Sequence, residues 1–266
     1  MFRFIDISYT CILVCKVEGH NIDIRDGLPV IDAAMSYSSI HFVLFAAFLC
    51  LSCSSSLLKN INVESLLKGT TLANKQLGCF YQASTNGWTH RDFHSCCDFN
   101  PPLPTLILMK TKTGSVCGGY NPVGWQSRDD YKDSLQAFLF RIDSNGEVLK
   151  AKKIGGSSAA VYDFGDRAIW FAEALFVPLN PKYGKLRVGT SALGTSYSSL
   201  PGSQGSIFNE RGNMGSAELS EIECWSSDEF IAQSVNMASR ERDNESRANV
   251  LMKGMRRFER FLLGEQ

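Results

Sequence analysis

Apolar and polar residues between positions 77 and 227 alternate in short runs broken by Gly, Pro, Asn and Ser. Thr105–Lys110 reads as a strand, Thr113-Gly114 as a turn, and Ser115–Tyr120 as the return strand. Gln136–Ile142 alternates with period two, placing Phe138, Phe140 and Ile142 on one face and Ala137, Leu139 and Arg141 on the other. Asp143-Ser144-Asn145-Gly146 closes that run with an Asn-Gly pair suited to positive φ, and Glu147–Ile154 pairs back. Ala168–Phe171 and Leu219–Trp225 are further strands, the latter with Ile222 and Cys224 opposite a solvated face carrying Glu221 and Glu223. Successive hairpins predict antiparallel sheets, and each sheet needs to bury an apolar face. The expected fold is therefore α+β: two antiparallel sheets packed as a β-sandwich, flanked by helices. Gly184–Gly215 predicts long surface loops around one or two short strands.

The two ends read differently. Ala33–Leu58 carries no formal charge, and Ile40–Cys53 is apolar at 12 of 14 positions, short of the roughly 20 residues a bilayer requires. His41 and the Ser52–Ser56 cluster favour a buried helix over a membrane contact through 40–58, and Met1–Cys15 makes a poor signal peptide. Residues 1–58 are thus read as an apolar segment that packs as a helix or is an artefact of the gene model, and 59–76 as a linker or helix. Residues 77–227 form the sandwich, and 228–266 form an amphipathic helix. In that helix Leu251, Met255, Phe258 and Leu262 recur at helical spacing, while Arg256, Arg257 and Arg260 make its end basic. These seven residues are the candidate partner-binding set. A fragment of residues 70–230 is expected to fold alone, because both hairpins and the Trp225 strand lie inside it.

Charge narrows the function classes. The 27 basic and 27 acidic residues cancel, which argues against nucleic acid as the main partner. The nine cysteines are odd in number and irregular in spacing, which suits reduced thiols inside the cell better than a secreted disulfide framework.

Candidate chemistry is sparse. Cys50-x-x-Cys53 has no second pair downstream. His90-x-x-x-His94 beside Cys96 and Cys97 resembles a ligand set, but Trp88–Asn100 reads as strand and loop, where that spacing does not converge on a metal. No Gly-Lys-Ser/Thr phosphate loop and no Gly-x-Ser-x-Gly elbow is present. No catalytic residue, metal or cofactor is expected. Cys117 reads as core, and Arg91 beside Cys96 is the one local hint of an activated thiol.

Taken in order, Trp88, Phe93-His94, Cys97-Asp98, Gly118-Gly119-Tyr120, Trp125, Tyr131, Phe138-Leu139-Phe140 and Glu223-Cys224-Trp225 resemble the TLDc domain of oxidation-resistance proteins. The likeness runs from about Leu77 to Ser227, and Asp129-Asp130-Tyr131 looks most like plant members. The resemblance implies a β-sandwich flanked by helices and an intracellular protein without established enzymatic activity, contributing to oxidative-stress resistance. It also implies structural roles for Trp88, Phe93, His94, Cys97, Asp98, Gly118, Gly119, Trp125, Tyr131, Phe138, Phe140, Glu223 and Trp225, with His94 paired to Asp98. Some relatives bind the vacuolar-type proton ATPase, which makes a subunit of that pump the candidate protein partner. Two other functions compete: a direct cysteine-based antioxidant, and a membrane-tethered adaptor.

Overall fold

The computed structural model describes residues 56–155, 159–202, 204–208 and 215–240, together with the backbone of four strands within residues 3–30. Those four strands, β1 (Arg3–Ile7), β2 (Thr10–Val17), β3 (His20–Arg25) and β4 (Leu28–Val30), form an antiparallel meander belonging to a unit of its own. Most of Ile40–Leu58 and all seven candidate partner-binding residues from Leu251 to Leu262 lie outside the described residues. Among the described residues no helix is long and apolar enough to cross a membrane.

The second unit begins with a 3-10 turn, Leu57–Asn60, and a short helix α1, Val63–Leu67, capped by the Asn62 side chain accepting from Ser65 N at 3.0 Å. After β5 (Leu77–Gln82) come α2 (Ala83–Asn86) and α3 (His90–Cys97). The strands β6 (Thr105–Thr111), β7 (Val116–Asn121), β9 (Phe138–Ile142) and β10 (Val148–Lys152) then form two antiparallel hairpins joined through β7 and β9. Between them β8 (Asp130–Lys132) pairs with β11 (Val161–Asp163) as a separate ribbon. A second antiparallel run, β12 (Ile169–Phe171), β13 (Leu175–Val177) and β14 (Val188–Ser191), leads to the long β15 (Gly215–Ser227) and the helix at residues 228–240, α4.

β15 ties the layers together. Its first residues pair with β14, from Ser191 opposite Gly215 to Val188 opposite Glu218. Its later residues pair with β6 on one side and β5 on the other, with register irregularities between Leu219 and Glu221 and between Cys224 and Trp225. Bulges of this kind bend a strand, so one strand serves both layers. The resulting order is β10-β9-β7-β6-β15-β14-β13-β12, with β5 alongside β15. The α+β reading with sandwiched antiparallel sheets holds.

The alternation of β6 and β9 explains how the layers pack. Ile107, Met109 and Leu139 face the main core with Ile169, Phe171, Leu175 and Val177, while Leu106, Leu108, Phe138 and Phe140 face the opposite way. That opposite face is covered by Leu66, Leu67 and Leu72, all almost completely buried. The central sheet is therefore buried on both faces, and the stretch read as a linker or helix holds a short helix, α1, whose Leu66 and Leu67 belong to that core. A fragment starting at residue 70 would lack Leu66 and Leu67, whereas the compact unit begins at Leu57. Over Gly184–Gly215 the described residues do form irregular segments around a short strand, β14, but they are not all at the surface. Leu193, Tyr197, Leu200, Ile207 and Phe208 from that stretch are core residues. A small-residue composition hid them, because the apolar positions are isolated rather than periodic.

Candidate functional site

The motif residues converge around α3. Thr89 and Asp92 form a capping box: Asp92 N donates to Thr89 Oγ1 at 3.2 Å and Thr89 N donates to Asp92 Oδ2 at 2.9 Å. This starts a helix where strand and loop were expected. The Thr89-x-x-Asp92 spacing is the sequence signal for it. The helix turns Phe93, His94 and Cys97 inward. Phe93 packs edge-on against Tyr81 and Trp125, with centroids 5.4 and 5.5 Å away.

His90 and His94 therefore do stand one turn apart on a helix, but His94 is already committed. Its Nδ1 lies 2.9 Å from Asp98 Oδ1, and its Nε2 lies 2.6 Å from the Arg167 carbonyl oxygen. A carbonyl only accepts, so Nε2 carries a proton. Burial opposes charge on this ring, but the Asp98 hydrogen bond and charge and the Arg167 carbonyl outweigh it, and the pKa is raised. Asp98 also accepts from Ser127 Oγ at 2.5 Å. Ser127, Asp98 and His94 thus form a chain with the carboxylate in the middle. A nucleophilic relay needs the imidazole in the middle, touching the hydroxyl. This chain instead clamps α3 to the loops at residues 127 and 167.

Asp163, fully buried, is a second clamp. It accepts from the backbone N–H groups of Gln126 and Ser127 at 3.1 Å and pairs with Lys132 Nζ at 2.9 Å. Glu223 is a third, and its position corrects the solvated-face reading of β15. It is 1% exposed, accepts from Leu57 N at 3.1 Å and from Trp225 Nε1 at 3.0 Å, and burial holds its pKa up. Glu221 keeps to the edge, accepting from Ser84 N at 3.1 Å. Among the described residues no cluster of His, Cys, Asp and Glu is arranged to hold a metal ion.

Three thiols, Cys96, Cys97 and Cys117, lie in surroundings that disfavour the thiolate. Burial raises the pKa of Cys97, and contact with Cys224 raises it further. Burial pushes Cys117 up to about 12 and raises half-buried Cys96 as well. Of the remaining motif residues, Gly118, Gly119, Trp125, Phe138, Phe140 and Trp225 are buried in the two cores or between the strands. Trp88 is half-buried under the Arg187 guanidinium, 4.5 Å from its ring centre.

Tyr131 stands apart, 58% exposed. It is directly opposite Tyr162 in the β8–β11 ribbon, and Trp170 is directly opposite Phe176 in β12–β13. In β11, β12 and β13 the residues flanking these rings are buried while the rings themselves face outward. Four neighbouring strands thus each put one aromatic ring on the outer face, with centroids 4.8, 4.6 and 5.0 Å apart in sequence. Sequence reading singled out Tyr131 alone. The row becomes legible only when the register is known.

The family model of the TLDc domain matches residues 51–174, a span that includes α1, α3 and the aromatic row as far as Trp170. The TLDc domain is associated with resistance to oxidative stress. No curated protein matches the chain.

Proposed function

We propose that this protein is a non-enzymatic TLDc interaction module acting inside the cell, of the plant-like kind that Asp129-Asp130-Tyr131 resembles. It contributes to oxidative-stress resistance by binding a protein partner, for which a subunit of the vacuolar-type proton ATPase is the candidate. The carrying observation is the outward-facing aromatic row, with Tyr131 exposed and Tyr162, Trp170 and Phe176 half-buried, set on a framework whose buried polar groups are spent on structure. Two features support the absence of catalysis: both His94 nitrogens are occupied, and Asp98 rather than the imidazole sits at the centre of the Ser127 chain. The raised pKa of Cys96 argues against a peroxide-scavenging thiol. The test is to mix the full chain with the purified cytoplasmic sector of the proton pump and, separately, with hydrogen peroxide. Saturable binding without peroxide consumption above the rate of free cysteine is expected. Catalytic peroxide turnover would overturn the reading.

A further inference from the structure

His94 stands between two groups that face it only as acceptors. Its Nδ1 lies 2.9 Å from Asp98 Oδ1, and its Nε2 lies 2.6 Å from the Arg167 carbonyl oxygen. A neutral imidazole carries one N–H and can donate to only one of them. Both contacts are hydrogen bonds only while the His94–Asp98 pair holds one further proton, between Nδ1 and Oδ1. The other Asp98 oxygen is already taken by the Ser127 hydroxyl.

The two acceptors hold different loops. Through Asp98 and Ser127 the ring reaches the 126–129 loop, which leads into β8 and Tyr131. Ser127 and Asp129 take φ of 52° and 53° there, a region that side chains other than glycine rarely adopt, so the loop keeps its shape only under outside support. Through the Arg167 carbonyl the ring reaches the 164–167 turn between β11 and β12, which is closed by Arg167 N donating to the Phe164 carbonyl at 3.1 Å. Gly165 N donates to Asp129 Oδ1 at 3.0 Å and joins the loop to the turn. Above them the Tyr131 and Phe164 rings meet edge-on at 5.6 Å, and the Arg167 guanidinium carbon lies 4.7 Å from the Trp170 ring centre. One buried imidazole thus ties together the two segments from which the outer rings project.

The other charged groups around the ring are engaged elsewhere. On α3, His90 stands one turn earlier and Asp92 closes the capping box. On β11, Asp163 pairs with Lys132 of β8 and accepts from Gln126 N and Ser127 N. On the turn, Asp166 meets Arg167 Nε at 3.4 Å and accepts from the Tyr183 hydroxyl. Arg128 and Asp129 of the loop are exposed. Among the described residues Asp98 alone bonds the ring through a carboxylate, and the charge of Asp163 acts on it from further away. Both favour the proton against the opposing effect of burial, and the folded pKa of His94 lies above the ordinary 6.5.

We infer that the His94–Asp98 pair is a proton-operated latch: while it holds its proton it locks the 126–129 loop to the 164–167 turn beneath the outer rings, and loss of that proton releases the loop. The neutral ring keeps its N–H on the Arg167 carbonyl, the shorter of the two contacts. Nδ1 then turns a lone pair toward the Asp98 carboxylate, and the two repel. Asp98 and Ser127 move apart from the ring, and the loop loses the support that its positive φ values require. Release comes as pH rises through the folded pKa of His94 and is reversed on acidification. The latch stands on the side-chain geometry alone, whereas a weakening of partner binding with rising pH rests on the interaction-module reading.

The experiment takes the full chain from about pH 6 to about pH 9. It records the His94 ring-nitrogen resonances and the hydrogen-exchange protection of amides 126–131, corrected for the intrinsic effect of pH on exchange. The wild type is expected to titrate at His94 above pH 6.5 and to lose at least tenfold protection across the same step. Asp98→Asn offers an amide N–H to the neutral Nδ1 while its oxygen still accepts from Ser127, so protection should stay high throughout. His94→Gln has no proton to lose and should show no step. A ring that titrates at or below 6.5, protection without a step in the wild type, or a step that persists in Asp98→Asn overturns the inference. Should Asp98→Asn fail to fold, the coincidence of ring titration and protection step in the wild type, and the missing step in His94→Gln, decide it. Binding of the proton-pump sector is then compared at both ends of the range. If the step is present and the sector binds equally at both, the latch stands and its coupling to the partner fails. If the sector does not bind at all, the latch stands and the functional reading fails.

Discussion

Glu223 shows what a single buried carboxylate does in this fold. It satisfies Leu57 N and Trp225 Nε1 and so pins the covering segment to β15. Glu223→Ala strands both donors and should cost about 2–4 kcal/mol in denaturant unfolding. Because burial raises its pKa in the folded state, the folded form holds its proton more tightly than the unfolded chain, and stability falls as pH rises from the ordinary value of 4.5 through the folded pKa. Glu223→Gln should remove that fall, so its stability relative to the wild type improves between pH 4 and neutrality. His94 works in a higher window with the same sign. Its folded pKa lies above the ordinary 6.5, so the stabilisation of the imidazolium is complete below 6.5 and is lost as pH rises through the folded value. His94→Gln should flatten the slope of stability against pH in that upper window, which urea melts at successive pH values would measure.

At the scale of elements, β7 sits so tightly between its neighbours that side chains are excluded. A Cβ on Gly118 would lie 1.9 Å from the Ile107 carbonyl oxygen, and one on Gly119 would lie 2.8 Å from Phe171 Cζ. Gly118→Ala should therefore cost about 3 kcal/mol or more, read as a loss of melting temperature or of soluble expression. The hairpins around this strand were legible from alternation and turn residues: Gly114 and Gly146 take positive φ at the expected turns. Three features were not. The capping box at Thr89 lay inside a stretch whose Cys-Cys and Pro-Pro content obscured the helix. Glu223 alternated correctly, but alternation cannot tell a solvated face from one covered by a distant segment. The aromatic row joins residues from 131 to 176, paired by register within β8–β11 and within β12–β13 and joined across the two sheets by the Tyr162–Trp170 contact.

For the whole molecule, the two-faced central sheet makes residues 57–72 indispensable. Fully burying Leu66 and Leu67 contributes about 1.5–3 kcal/mol each. A chain of residues 56–240 should show one cooperative thermal transition, whereas residues 70–230 should melt at least 10 °C lower or bind a hydrophobic dye when native. Under the proposed function the outer aromatic face, rather than a thiol, is what protection depends on. The most direct measurement is survival of peroxide-challenged cells that depend on this protein, comparing Cys96→Ser with Tyr131→Ala/Phe176→Thr at matched protein levels. Cys79 and Cys96 are the half-buried thiols among the described residues, so Cys79→Ser is tested alongside Cys96→Ser, while Cys97, Cys117 and Cys224 are buried. Full protection by Cys79→Ser and by Cys96→Ser, and loss of most protection in the aromatic double variant, are expected. Loss of protection in either thiol variant, with the aromatic variant still protective, would contradict the proposed function.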